Sequence, residues 1–109
     1  MILLALFAAF SVAGTRDYLM WNRVRWALLD EVVTSHLATP HQIDGGFEFN
    51  GWHLYRPSYV ATPDKSWWWV DEDKYLVTFG AIPGWNVARQ RTFSRWLPPG
   101  EGRILLLTR

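Results

Sequence analysis

Residues 17–33, DYLMWNRVRWALLDEVV, decide the fold, because only a helix gathers their apolar side chains on one side. At 100° per residue, Tyr18, Trp21, Leu28, Leu29 and Val32 share a face, while Arg23, Asp30 and Glu31 lie towards the opposite one. Thr15 and Asp17 are both suitable N-caps, so a helix is predicted from Asp17 to about Val33. Asn22 and Arg25 interrupt the apolar arc. Buried polar groups need partners, so these two belong either to the rim or to a hydrogen-bonded site, and we expect the rim.

Working towards the N-terminus, residues 1–14 carry no charge, and the first charged side chain is Arg16. Such a run falls short of the ~20 residues that cross a bilayer. It also lacks the basic flank that precedes a secretory signal. It reads either as a buried strand or as the last turns of a transmembrane helix, a remnant of something larger. Leu3–Ala9 is helix-prone and Phe10–Val12 strand-prone. Residues 1–9 are therefore expected to end a membrane helix, with Phe10–Ala13 as the first strand of a single soluble domain, 10–109.

Working towards the C-terminus, Thr34–Gln42 reads as a loop closed by Thr39-Pro40. Ile43–Phe49 alternates around Gly45-Gly46, and Gly51–Tyr55 continues the extended pattern. Strand, helix and strand in that order imply a crossover between parallel strands. After a Pro-containing loop, residues 67–70 and Tyr75–Phe79 flank four polar residues and read as a hairpin. Asn86–Trp96 is a longer strand, broken by Pro98-Pro99-Gly100, and Arg103–Thr108 is the last. The expected class is α+β: one main helix packed on a mixed, mostly antiparallel sheet of about five strands.

Composition narrows the chemistry. With 109 residues and half of them hydrophobic, one modest core can form without crosslinks. The absence of cysteine excludes disulfides, thiolate nucleophiles and Cys-based zinc sites. A formal charge of +1 supplies no field for nucleic acid, which is not expected as a partner. Eight tryptophans are the anomaly, since Trp favours cores, interfaces and sugar-stacking platforms.

Motifs for catalysis are weak. His36 and His41 lie five apart across a proline loop, poor spacing for a chelate, and read as solvated. Asp71-Glu72-Asp73 contains a D-x-D of the kind that holds a divalent cation, but it falls on a predicted turn. No metal and no cofactor are expected. Asp44 and Glu48, placed on one face of an unbulged strand, have the even spacing of an acid–base pair, without any further sign of a glycoside hydrolase. Arg89, Arg91 and Arg95 form a basic stripe that reads as a solvated strand face.

Three strings are more particular. They are SVAGTRDY at 11–18, followed by Trp21-Asn22-Arg23 and Arg25-Trp26; IDGGFEFNGW at 43–52; and KSWWWVD at 65–71. Together they resemble the C-terminal region of bacterial multi-pass membrane glycosyltransferases, the family 39-like relatives of dolichyl-phosphate-mannose protein mannosyltransferases. The resemblance implies a parent enzyme that takes sugar from a polyprenyl-phosphate donor, using an acidic residue in an early extracytoplasmic loop between membrane helices. That multi-helix region has no counterpart here, so no catalytic residue carries over. What it implies for this chain is a non-catalytic domain on the extracytoplasmic (periplasmic) side of the bacterial inner membrane, a glycosyltransferase fragment without the catalytic part. Arg16, Arg23 and Arg25 pull against that side, since basic flanks stay cytoplasmic.

On this reading Asn22, Arg25, Asp44, Glu48, Asn50 and Trp52 form a polar, aromatic surface that supports binding of acceptor or donor. The membrane and a glycan or polyprenyl-phosphate sugar are the expected partners. The rival expectation is an independent carbohydrate-binding module with Trp52, Trp67 and Trp69 as its platform, Trp67 and Trp69 sharing one strand face.

Overall fold

A computed structural model describes residues 1–61, 63–65 and 68–109. Its dominant element is α1, a single helix over Ile2–Thr34. Thirty-three residues at 1.5 Å each span about 50 Å, which accounts for the 51 Å long axis of the molecule. The predicted helix is therefore present but starts much earlier, and no strand exists at Phe10–Ala13. The reason is cooperative. Once a helix is nucleated each added residue gains a hydrogen bond, and no neighbouring strand offers residues 10–13 a ladder. The first half of α1 is exposed, from Leu3 at 82% to Phe10 at 65%. The second half is core, with Leu28, Leu29 and Val32 fully buried. At its C-terminus His36 adopts a left-handed φ of 59°. The amides of His36 and Leu37 return to the carbonyls of Val33 and Val32, closing the helix as a Schellman turn.

Beyond a short 3-10 turn at Pro40–Gln42 come β1 (Ile43–Asp44), α2 (Phe47–Leu54), β2 (Tyr75–Thr78), β3 (Asn86–Trp96) and β4 (Pro99–Thr108). The sheet has four strands, in the order β1-β2-β4-β3, not five. β1 runs parallel to β2, with Ile43 opposite Tyr75, and all other pairings are antiparallel. The class is thus α+β with a mixed sheet, and the parallel pair is β1–β2 instead of one made by residues 10–13.

Two expected strands are replaced. After Asp44 the chain enters Gly46 at φ 95° and turns into α2, so Phe47–Leu54 is helical and the even spacing of Asp44 and Glu48 loses its meaning. No hairpin joins residues 68–70 to β2. Trp68 and Trp69 lie in a turn, Trp69 at φ 64°, and β2 pairs with β1 and β4. The expected break at Pro98-Pro99-Gly100 is a two-residue turn at Leu97-Pro98, and β4 begins at Pro99.

The helix side of the sheet carries the core: Leu28, Leu29 and Val32 of α1 pack with Ile43, Phe49, Tyr75, Phe93, Ile104 and Leu106. Leu105 and Leu107, on the other face of the interior strand β4, are buried as well. Phe93 lies over Gly102 across the β3–β4 ladder, where any side chain would collide with the ring. A row of edge-on rings, Tyr18–Trp21–Phe79–Phe93, joins α1 to the sheet with centroid spacings of 5.3, 5.2 and 6.3 Å.

α1 is held to β3 at two levels. Near its middle, the Asp17 carboxylate accepts hydrogen bonds from the amides of Trp96 and Leu97 at 2.9 and 2.8 Å. Beside it Arg16 donates to the Ser94 carbonyl at 2.8 Å and hydroxyl at 2.6 Å. Near its end, Glu31 pairs with Arg91.

Candidate functional site

Tyr18, Asn22 and Arg25 stand at i, i+4 and i+7 on α1, one stripe facing the start of α2. Arg25 is the centre. Only 6% exposed, it is buried, not at the rim as the broken apolar arc suggested. One terminal nitrogen donates to Asn22 Oδ1 at 2.7 Å and Glu48 Oε2 at 3.0 Å, and the other to the Gly45 carbonyl at 3.3 Å. Trp21 and Trp26 flank the guanidinium, with centroids 5.2 and 5.9 Å from its carbon. Aromatic faces and a planar cation suit one another, which lets the charge remain buried. Tyr18 adds a long hydrogen bond to Glu48 at 3.5 Å.

Asp44 and Asn50 shape the floor of this site. Asn50 Nδ2 donates to Asp44 Oδ1 at 2.8 Å, and Asn50 Oδ1 accepts from the Gly45 amide at 3.0 Å. The Gly46 amide turns towards Asp44 Oδ1 at 3.3 Å. Asn50 is 0% and Asp44 5% exposed, so both sit beneath the surface and hold the turn into α2. Glu48 and Asn22 are the parts of the polar group that reach outward.

Glu48 occupies the first turn of α2, where free amides favour negative charge. Its carboxyl titrates below the usual range, chiefly through a hydrogen bond from its own amide, then through Arg25 and Tyr18, with partial burial opposing. A carboxylate whose folded value is depressed stabilises fully above its unfolded value and less as pH falls through the folded one. Replacing Glu48 with Gln should therefore leave a flatter profile: between about pH 5 and pH 3, the thermal midpoint of the native chain should fall more steeply than that of Glu48→Gln. Parallel profiles would show that the pairing is not felt in solution.

The aromatic candidates separate. Trp52 projects from α2, 82% exposed. Trp69 is half-buried and packs against Phe47, Tyr55 and Trp68 at 5.8, 5.4 and 6.0 Å. It lies in a turn, so the strand face it was expected to share does not form, and Trp67 lies outside the described residues. Tyr55, Arg56, Tyr59, Trp68 and Trp69 line a shallow pocket of about 360 Å³.

The other motifs resolve into structural roles. Asp71 is held bidentately by Arg56 at 2.7 Å, whereas Asp73 meets Arg109 at 2.9 Å and Lys65 at 3.9 Å, so the two carboxylates of the D-x-D pair are taken by different cations. The basic stripe Arg89, Arg91 and Arg95 stays in continuous register on β3, beyond a register shift between Val87 and Arg89, and Arg91 is taken by Glu31. Sequence reasoning missed Asp17 as a latch to the β3–β4 turn. Its only sequence signal, a carboxylate at an expected N-cap, pointed to a different role. The Glu48–Arg25 pairing is not legible in the sequence, because Phe47–Asn50 alternates as a strand does while the chain forms a helix there.

No known protein family, no curated protein and no solved structure matches this chain.

Proposed function

We propose that this chain is a membrane-seated, non-catalytic domain of a glycosyltransferase that uses a polyprenyl-phosphate sugar donor, standing on the extracytoplasmic side and supporting acceptor or donor binding. The observation that carries the membrane seat is α1 itself. One unbroken helix is exposed and apolar over its first half and is the core of the α+β body over its second. By length and composition it is also long and apolar enough to cross a membrane. The glycosyltransferase part rests on the three resembling strings, which now fall at the middle of α1, across the Arg25 site and at the turn containing Trp69. Asn22, Arg25, Glu48 and Trp52 are the binding residues of this reading, and the buried Asp44 and Asn50 support them.

Sidedness tests it directly, because the chain has no cysteine and a single one can be placed at will. A Thr92→Cys chain, exposed on β3, should react with an impermeant maleimide in intact spheroplasts and be shielded in inside-out vesicles. The reverse pattern would refute an extracytoplasmic domain. A carbohydrate-binding module is the second reading, favoured by the 82% exposure of Trp52. Fluorescence titration with glycans separates the two: saturable quenching by free oligosaccharide supports the module, and its absence the accessory domain.

A further inference from the structure

The Asp17 latch sets the height of the β3–β4 turn on α1. Trp96 and Leu97, whose amides it holds, stand beside the helix one turn past its uncharged run. Both are open to solvent, Trp96 at 53% and Leu97 at 41%. Leu97 lines the same apolar groove as Phe7, Phe10 and Ala13 on the exposed half of the helix. On the other side of Leu97, a groove of about 530 Å³ is lined by Tyr18, Trp21, Phe93, Arg95 and Arg103. Among the described residues neither arginine has a hydrogen-bonding or ionic partner, and Arg95 Nε is buried with none. The remaining charges beside the turn are Arg16 and Asp17, and Glu101 opposite Ser94. Asp17 is engaged by Arg16 and by the two amides, so cations predominate.

An exposed Trp–Leu tip, continuous with an apolar helix and rimmed by unpaired arginines, matches the sequence of layers met on entering a bilayer: phosphates, then the aromatic belt, then hydrocarbon. We propose that the β3–β4 turn is a second membrane contact, with Trp96 and Leu97 in the headgroup layer and Arg95 and Arg103 on the phosphates of anionic phospholipids. The inference rests on the membrane seat proposed for α1 and specifies how the body is oriented on it. A helix alone would leave the body free to swivel, and a second contact fixes it.

Labelling tests both and keeps them apart. Leu97→Cys, Val87→Cys and Leu6→Cys chains, each carrying an environment-sensitive fluorophore, are reconstituted whole in phosphatidylcholine vesicles with or without phosphatidylglycerol. Val87 lies nearer the other end of β3 and is 51% exposed. The expected result is loss of fluorescence at position 97 with headgroup-nitroxide lipid, no loss at position 87, and quenching at position 6 by nitroxides deeper in the chain region. Phosphatidylglycerol should strengthen the quenching at 97, and Arg95→Gln/Arg103→Gln should remove that gain. If 6 is quenched while 97 behaves like 87, the helix is seated and the second contact is refuted. If 97 is shielded from iodide yet indifferent to lipid nitroxides, a protein surface covers the tip, which also refutes it. If position 6 is itself open to iodide and to no lipid quencher, the membrane seat fails and takes the second contact with it.

Discussion

On the membrane seat proposed for α1, Leu6→Asp/Phe10→Asp should move the chain from the membrane pellet to the soluble fraction without unfolding its α+β body. Both side chains are exposed, at 62% and 65%, and neither belongs to the core, so the body loses no packing. In a bilayer the cost is severe, because an aspartate deep in a membrane helix is disfavoured by about 3 kcal/mol relative to Leu or Phe. Two such changes exceed what the remaining apolar residues of the exposed half can offset. Fractionation in carbonate, with circular dichroism of the released protein, reads both halves of the expectation. An unchanged pellet, or a native chain that is itself soluble, would refute the exposed apolar half of α1 as a membrane seat. Thr92→Asp, on the exposed face of β3, should stay in the pellet like the native chain.

The second large effect is expected at Gly46. Its φ of 95° and ψ of 169° fall where only glycine is comfortable. A Cβ there would also meet Arg25 Nη1 at 2.5 Å, and that nitrogen cannot retreat without leaving the Gly45 carbonyl. Backbone strain and a displaced buried guanidinium together should cost about 2–4 kcal/mol in Gly46→Ala. For a domain of this size that lowers the thermal midpoint by roughly 10 °C or more. Gly80→Ala, with nothing within 4 Å of its Cβ, is the matched control and should be close to neutral. Adding Arg25→Ala to Gly46→Ala relieves the collision but not the strained backbone, so the two losses should fall short of additive. Strict additivity would show that Gly46 and Arg25 are not coupled as the structure describes.

Local pattern made some elements legible and hid others. The core stripe of α1 was visible because Leu28, Leu29 and Val32 repeat at helical spacing. β3 was visible as an extended stretch between the Pro83-Gly84 turn and Pro98-Pro99, although its residues do not alternate in polarity. Residues 47–54 were misread because Phe47-Glu48-Phe49-Asn50 alternates like a strand, while its conformation is set by the Gly46 turn and the Asp44 carboxylate. Asn22 and Arg25 were singled out correctly as breaks in the apolar arc, but whether they lay at the rim or inside depended on Glu48 and Gly45, some twenty residues further on.

For the uncharged start and the residues 17–33 that follow it, the division is clear. The sequence alone determined that residues 17–33 form a helix with a core stripe and that no charge precedes Arg16, since periodicity and composition are local, but it marked Phe10–Ala13 as a strand. The tertiary structure decided that both belong to one helix. It decided too that Asp17, between them, clasps a turn 80 residues away, and that a buried arginine orders the site beneath. Those outcomes depend on which backbone amides and carboxylates come to face each other once the sheet has formed, and spacing along the chain does not encode that directly.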